Sequence, residues 1–470
     1  MSSRNLNSRR LSKSIDIPAL ICFFALLGIG WLTLFATVYE GGGIQEVFSI
    51  STEIGKQTIW LGLSIVAFIA TFSIDWKFWS SFAYVFYGFS IFLLVAVLIL
   101  GVEVKGAKSW FIISGYSFQP SELAKLGTCL AVASLFGSTQ LNLKNDKHLL
   151  LGLGLVALPV FLILLQPDAG SAIIFSSFVF LFYRAGANPV YYVLSLSFIS
   201  IVILTLIFGY PPVIMIILIA AIGVLLLSIN NNFKYVANYL LIVLASYVFN
   251  RFGYGNFVFF GLSVLLIGLI VVTIRENKVR FLSITIVSSI ISTLISLATQ
   301  WSFTNLLRPH QQDRINVWLR PDLCDPRGSL YNIIQSKTAI GSGGLTGSGF
   351  LEGAMTKLNF VPEQTTDFIF CTIGEEQGFL GVMSVIVLFM LLLYRTIIMA
   401  ERNRLDFIRY YMYGVAGFLF LHVFINIGMT LGIMPVIGIP LPFMSKGGSS
   451  LLVFCIMFGI IFKMDLVRNR

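Results

Sequence analysis

The chain has 470 residues, 57% of them hydrophobic and 11% charged, with a formal net charge of +10. That balance excludes an ordinary soluble domain, and five scattered cysteines at 22, 129, 324, 371 and 455 argue against a disulfide framework or a metal cluster. The excess Lys and Arg sit in short segments between apolar runs, the pattern of cytoplasmic loops rather than of a nucleic-acid face.

A basic leader with Arg4, Arg9, Arg10 and Lys13 opens the chain and should stay cytoplasmic. The first apolar run, 17–38, is long enough to span and lacks a small-residue cleavage site behind it, so it is expected to persist as a helix. Further runs follow at 57–74, 78–101, 120–138, 149–166, 169–184, 189–209, 212–229, 235–250, 256–274 and 280–300. Three more come after a polar interval, at 367–397, 407–431 and 446–464. Each is near the roughly 20 residues that cross a hydrocarbon core of about 30 Å.

The expected fold class is therefore all-α, a polytopic integral membrane protein with about fourteen spans. It reads as a single membrane domain over 1–470, with a cytoplasmic leader at 1–16 and a long loop at 301–366. Counting outward from a cytoplasmic start places Lys144 and Lys147, Lys234, then Arg275, Lys278 and Arg280 inside. Arg402, Arg404 and Arg409, and finally Lys463, Arg468 and Arg470, fall inside as well. The same count puts the termini in the cytoplasm and the 301–366 loop outside.

Chemistry concentrates in a few places. Pro120 opens a helix on which Glu122 and Lys125, three residues apart, share one face; either they pin the helix as an ion pair or they meet a substrate. Asp168, between two apolar runs, has the position of a helix N-cap. In the long loop, Cys324 to Ser329 is a turn around Asp325 and Pro326, and the short amphiphilic stretch Ile333 to Ile340, carrying Lys337, should be a helix lying at the outer surface. The glycines from 341 to 349 permit tight turns able to approach phosphate oxygens. Gly and Pro recur from Gly428 to Pro442, ahead of Ser445, Lys446 and Gly447, suggesting broken backbone that lines a site.

Together these segments resemble the SEDS family of bacterial cell-wall polymerases, its RodA elongation branch more than its FtsW division branch. Gly106 and Ala107 with Trp110, Gln119 to Glu122 with Lys125, Gln166 to Asp168 with Gly170, Arg314, Asp325 with Pro326, and Gln335 to Lys337 carry the likeness. So do the glycine run, Pro362 with Glu363, Thr366 to Phe370, Gly374 to Glu376, and Pro442 to Ser449. The resemblance implies a peptidoglycan glycosyltransferase that joins lipid II units outside the inner membrane and works with a class B penicillin-binding protein and other elongation-complex membrane proteins. It implies a ten-helix core, so about four additional helices fall between 189 and 300. It also makes Asp325 the general base, with Glu122, Lys125 and Asp168 lining the cavity beneath it.

Arg314, Lys337, Lys108, Ser445 and Lys446 are then expected at the substrate, the cations on its diphosphate, with a divalent cation such as Mg or Mn as a companion whose ligands the sequence does not name. Two positions depart from the family pattern: Ser109 stands where Arg commonly precedes the tryptophan, and Lys446 where Tyr is usual. The alternative functions are a flippase for lipid-linked precursor, using the intramembrane charges, and a non-catalytic scaffold of the wall-synthesis complex.

Overall fold

The computed structural model describes residues 15–39, 52–104, 106–113, 115–138, 146–229, 233–251, 253, 255–328 and 330–466. Arg4, Arg9, Arg10, Lys13, Lys144, Ser329, Arg468 and Arg470 lie outside the described residues. The chain divides into two compact units, one made of residues up to Asn188 together with Cys324 onward, the other of Pro189–Leu323.

In the first unit the helices are α1 (Ile17–Val38), α2 (Glu53–Ser73), α3 (Trp76–Ser81), α4 (Ala83–Leu100), α5 (Pro120–Phe136) and α6 (Asp146–Leu164). Then come α7 (Ala169–Ile174) and α8 (Phe178–Arg184), joined by a 3-10 turn at Phe175–Ser177. The second unit holds α9 (Pro189–Phe208), α10 (Tyr210–Ile229), α11 (Phe233–Arg251), α12 (Gly255–Arg275), α13 (Val279–Asn305) and α14 (Pro309–Leu319). The first unit resumes with α15 (Tyr331–Ser342), α16 (Ala354–Lys357), α17 (Ile369–Glu401), α18 (Asp406–Thr430) and α19 (Gly448–Leu466).

Among the described residues, eleven helices are long and apolar enough to cross a membrane. The other three expected positions hold α5, with 17 residues, and the shorter apolar helices Ala169–Arg184 and Tyr235–Phe249. The chain is thus a multi-pass helical membrane protein. Helices are the form apolar runs must take there, because lipid offers no partner for backbone N–H and C=O groups.

The all-α expectation needs one correction. A three-stranded antiparallel meander lies between α4 and α5, made of β1 (Val102–Val104), β2 (Ala107–Ile113) and β3 (Tyr116–Phe118). Gly106 (φ 86°) and Gly115 (φ 82°) supply the left-handed backbone that its two tight reversals need. Within the polar interval α15 covers the short stretch around Lys337 expected to be helical, while α14, α16 and the run of α13 on to Asn305 are additional to that expectation.

In the first unit α5, α18 and α19 are buried along most of their length. α2 packs on α19, α4 on α5, and α17 on both α1 and α18. Gly30 lets α1 touch the backbone of Phe443 and Met444: a Cβ there would come within 2.5 Å of main-chain atoms. In the second unit α13 packs against α9 and α10, and a buried Thr205–Ser296 hydroxyl contact of 2.9 Å joins α9 to α13.

Both ends of the described chain meet in one charge cluster. Asp16, the N-cap of α1, takes hydrogen bonds from Arg395 at 3.0 and 2.6 Å and an ion pair from Arg402 at 3.1 Å; Arg402 also binds Asp465 near the end of α19. Burial alone would raise the Asp16 carboxyl, but hydrogen bonds from Arg395 and the Ala19 N–H and the charges of both arginines outweigh it, leaving the group below its ordinary value. A carboxyl lowered by folding adds stability that is complete above its unfolded pKa, about 3.9 for Asp, and fades as pH falls through the lower folded value. Asp16→Asn should therefore cost about 2 kcal/mol at neutral pH. In detergent melts the gap in Tm to wild type should narrow between pH 5 and pH 3, whereas a constant gap would remove the ionic contribution.

Candidate functional site

Lys125 sits one turn into α5, whose start is set by Pro120 at the first helical position. Its side chain is 2% exposed, and its ammonium lies 2.8 Å from Glu122 and 2.9 Å from Nε2 of His422 on α18. A third direction points at the Phe454 ring, 5.6 Å from the centroid. Such an ammonium in a buried site needs these partners, because leaving water uncompensated costs several kcal/mol. His422 continues the chain of contacts: its Nδ1 lies 3.2 Å from the Pro440 carbonyl.

Asp168 caps α7, accepting Ser171 N–H at 3.0 Å, Ser171 O–H at 2.8 Å and the Gln119 amide at 2.8 Å. Ser121 reaches the same Ser171 hydroxyl, so Asp168 is tied to the entrance of α5 as well as to its own helix. Gly170 lies directly on the Ile437 carbonyl.

The Gly- and Pro-rich segment before α19 is held by buried side chains. Asn426, one turn after His422 on α18, donates to the carbonyls of Ile439 at 2.7 Å and Asp367 at 2.9 Å. Ser445 donates to the Thr366 carbonyl and accepts the Leu441 N–H at 2.8 Å. Lys446 donates its backbone N–H to Thr365 and places its ammonium 2.6 Å from Glu53 at the start of α2.

α15 rests on the end of α18 through a buried bond from Ser336 to the Thr430 carbonyl. On the same helix the exposed Lys337 lies over Gly432, whose φ of 73° and lack of a side chain make room for it. Asp325 is exposed on a turn: Oδ1 accepts the Arg327 N–H at 3.0 Å and its carbonyl the Gly328 N–H at 3.1 Å, while Oδ2 takes no hydrogen bond among the described residues. Arg314 is exposed on α14 of the other unit. Lys108, on β2, is engaged with the Ile99 carbonyl at the end of α4 at 3.0 Å, and Ser109 beside it is buried.

The glycine run does something other than present N–H groups to a phosphate. α17 is broken at Gly378 (φ 63°, ψ −161°), and the interrupted backbone exchanges hydrogen bonds with residues 344–349. Ser348 and Gly349 donate to the carbonyls of Glu375 and Glu376, while Phe379 and Leu380 donate to those of Gly344 and Leu345. The Glu375 carboxylate meanwhile caps α16, accepting Met355 and Thr356 N–H at 2.7 and 2.9 Å.

So the structure brings Glu122 and Lys125 together, links Asp168 to their helix, and sets Ser445 and Lys446 on backbone reaching to Thr365 and Thr366. Among the described residues it gives Asp325 bonds only within its own turn. His422 and Asn426 were missed by sequence reasoning. Two polar residues four apart within an apolar span were the available signal, since such pairs face protein or a cavity. Among the described residues no group of three or more His, Cys, Asp or Glu could hold a metal ion.

The fold and this polar interior define a polytopic helical membrane protein rather than a single-helix anchor. A family model describing a cell cycle protein, FtsW/RodA/SpoVE, matches residues 18–221 and 213–470. The peptidoglycan glycosyltransferase RodA of Treponema pallidum is 32% identical over 96% of this chain and 97% of its own. The peptidoglycan glycosyltransferase MrdB of Escherichia coli is 31% identical over 97% of this chain and 94% of its own. A chain from a solved peptidoglycan synthase complex aligns over 97% of this chain and 99% of its own with a TM-score of 0.62 at 24% identity. RodA of Thermus thermophilus aligns over 97% and 98% with 0.55 at 22%, likenesses that concern the fold. The chain belongs to the FtsW/RodA/SpoVE family and is a glycosyltransferase of its RodA/MrdB kind.

A Cβ on Gly343 would stand 1.9 Å from the Gly374 carbonyl oxygen, whereas one on Gly341 meets nothing within 4 Å. Gly343→Ala is thus expected to destabilise by about 3 kcal/mol or more, read as a lost or sharply lowered thermal transition in detergent. Gly341→Ala should leave that transition within a few degrees of wild type. Equal melting of the two variants would contradict the backbone contact.

Proposed function

We propose that the chain polymerises lipid II into glycan strands on the outer face of the bacterial inner membrane, during elongation and the maintenance of cell shape. The observation that carries the reading is Asp325: an exposed carboxylate oriented through Oδ1 by its own turn, with Oδ2 taking no hydrogen bond among the described residues. The names of the RodA and MrdB relatives support the substrate class.

In this mechanism Asp325 takes the proton of the acceptor sugar hydroxyl as that oxygen attacks the donor's anomeric carbon. Undecaprenyl diphosphate departs without needing a partnered carboxylic acid, in contrast to glycoside hydrolysis. One base and one displacement invert the α-linked donor to a β-linked strand. Negative charge growing on the diphosphate is met by Arg314 and Lys337, with Lys446 and Lys108 in lesser parts because Glu53 and the Ile99 carbonyl already engage them. Glu122, Lys125, Asp168 and Ser445 shape the polar interior that receives the substrate.

A divalent cation, Mg or Mn, enters the proposal as a companion of the diphosphate. Mg commonly keeps most of its waters and is held by substrate phosphates with one or two carboxylates rather than by a protein cage. No step above is routed through it. If it contributes, EDTA should slow polymerisation by purified protein and excess Mg should restore it; an unchanged rate removes the ion from the account.

For topology, all fourteen helical positions would cross, ten of them the family core and four an insertion between 189 and 300, which by its even number keeps Asp325 outside. Asp16 and Asp465 sharing Arg402 supports placing both ends of the described chain on one side, which the basic segments of the sequence assign to the cytoplasm. A class B penicillin-binding protein is the proposed partner, in keeping with the synthase complex whose chain shares this fold.

Asp325→Ala should reduce polymerisation of fluorescent lipid II by about a thousandfold while leaving expression and melting unchanged, with or without the partner. Full-length glycan from that variant would end the assignment of the base. A precursor-translocating protein, by contrast, would make no polymer even as wild type.

A further inference from the structure

We infer that His422 is a positioning residue: through its neutral ring it fixes the ammonium of Lys125 and ties it to the outer segment at Pro440. The inference rests on the reading above, in which Lys125 belongs to the substrate site.

With Lys125 carrying its charge beside Glu122, the contacts leave one arrangement. The Pro440 carbonyl can only accept, so the ring nitrogen 3.2 Å from it, Nδ1, carries the imidazole proton. Nε2 then presents its lone pair to the Lys125 ammonium 2.9 Å away, an ion that can only donate. A doubly protonated ring would set two donors against each other at that distance, in a place where Lys125 and His422 are each 2% exposed.

The ring is also fixed in orientation. It stands edge-on to Phe454, at 86° and 5.2 Å between centroids, and Phe454 is the ring over which Lys125 lies. One N–H of Lys125 is thereby given to Glu122 and one to His422, and the third faces the aromatic ring. A cation–π contact is the weakest of the three, so it is the one an anionic or carbonyl group of the substrate displaces. His422 thus decides which N–H Lys125 keeps for substrate.

The second nitrogen gives the device its reach. Pro440 belongs to the segment whose neighbouring carbonyl, Ile439, is held by Asn426 one turn further along α18. The same segment leads to Ser445 and Lys446. Lys125 therefore takes its position from the outer segment as well as from its own helix.

The test compares lipid II polymerisation by purified, full-length wild type, Lys125→Met, His422→Leu and His422→Gln, each with a melting curve in the same detergent. A glutamine offers an amide N–H for Pro440 and an amide oxygen for Lys125, whereas leucine fills the space and offers neither. The expected result is an inactive Lys125→Met and a His422→Leu protein that melts cooperatively yet loses between about tenfold and a hundredfold in rate, the scale set by misplacing a reacting-site group by ~1 Å. His422→Gln should recover to within a few-fold of wild type.

If the leucine variant does not fold, His422→Phe keeps the edge-on contact with Phe454 without a ring nitrogen and replaces it in the comparison. A folded Leu or Phe variant at the wild-type rate beside an inactive Lys125→Met overturns the inference and leaves the site reading intact. Glutamine no better than leucine overturns it too. Lys125→Met at the wild-type rate brings down the site reading itself, and the inference with it.

Discussion

A lysine with 2% of its surface exposed, in a chain whose surroundings are hydrocarbon, must find its solvation inside the protein. Lys125 does so with a carboxylate on its own helix, an imidazole on α18 and an aromatic face on α19. Satisfying one ammonium in this way obliges α5, α18 and α19 to approach at a fixed depth. It also draws in Pro440, because His422 can accept from Lys125 only with its proton on the other nitrogen. The most buried helices of the first unit are the ones this cation joins.

The same requirement governs the backbone. Where α17 breaks at Gly378, four main-chain groups would be left without helical partners, and residues 344–349 supply them. Glycine is needed on both sides because the two backbones meet closer than any side chain allows. Farther along, Asn426 and Ser445 perform this service for the carbonyls of Asp367, Ile439 and Thr366. These connecting segments are irregular in path yet held at defined points by buried polar side chains.

Much of the helical order was legible because an apolar run of about 20 residues has few options in a membrane. The runs at 17–38, 189–209 and 212–229 have helices within two residues of their expected bounds. The ion pair of Glu122 and Lys125 was legible as one of two options because three residues set its geometry. The bond from Lys125 to His422 was not, since 297 residues separate the partners and each looks isolated in its own apolar run. The break at Gly378 was hidden for a related reason: a glycine within a span is common, and only its contacts with the run at 344–349 explain it. The meander at 102–118 was passed over because its outer strands have only three residues each.

Chemistry was legible only through resemblance. Nothing in the composition around Asp325 separates a base from a turn-forming aspartate, and within its turn Oδ1 does serve the backbone. The proposed role as base rests on the other oxygen, Oδ2, which takes no hydrogen bond among the described residues on this exposed turn. The most direct measurement places the purified chain alone in proteoliposomes with fluorescent lipid II and follows glycan length and lipid translocation together. The account predicts a ladder of strands that lysozyme degrades, formed by the wild-type chain. Translocated lipid II with no polymer would contradict it.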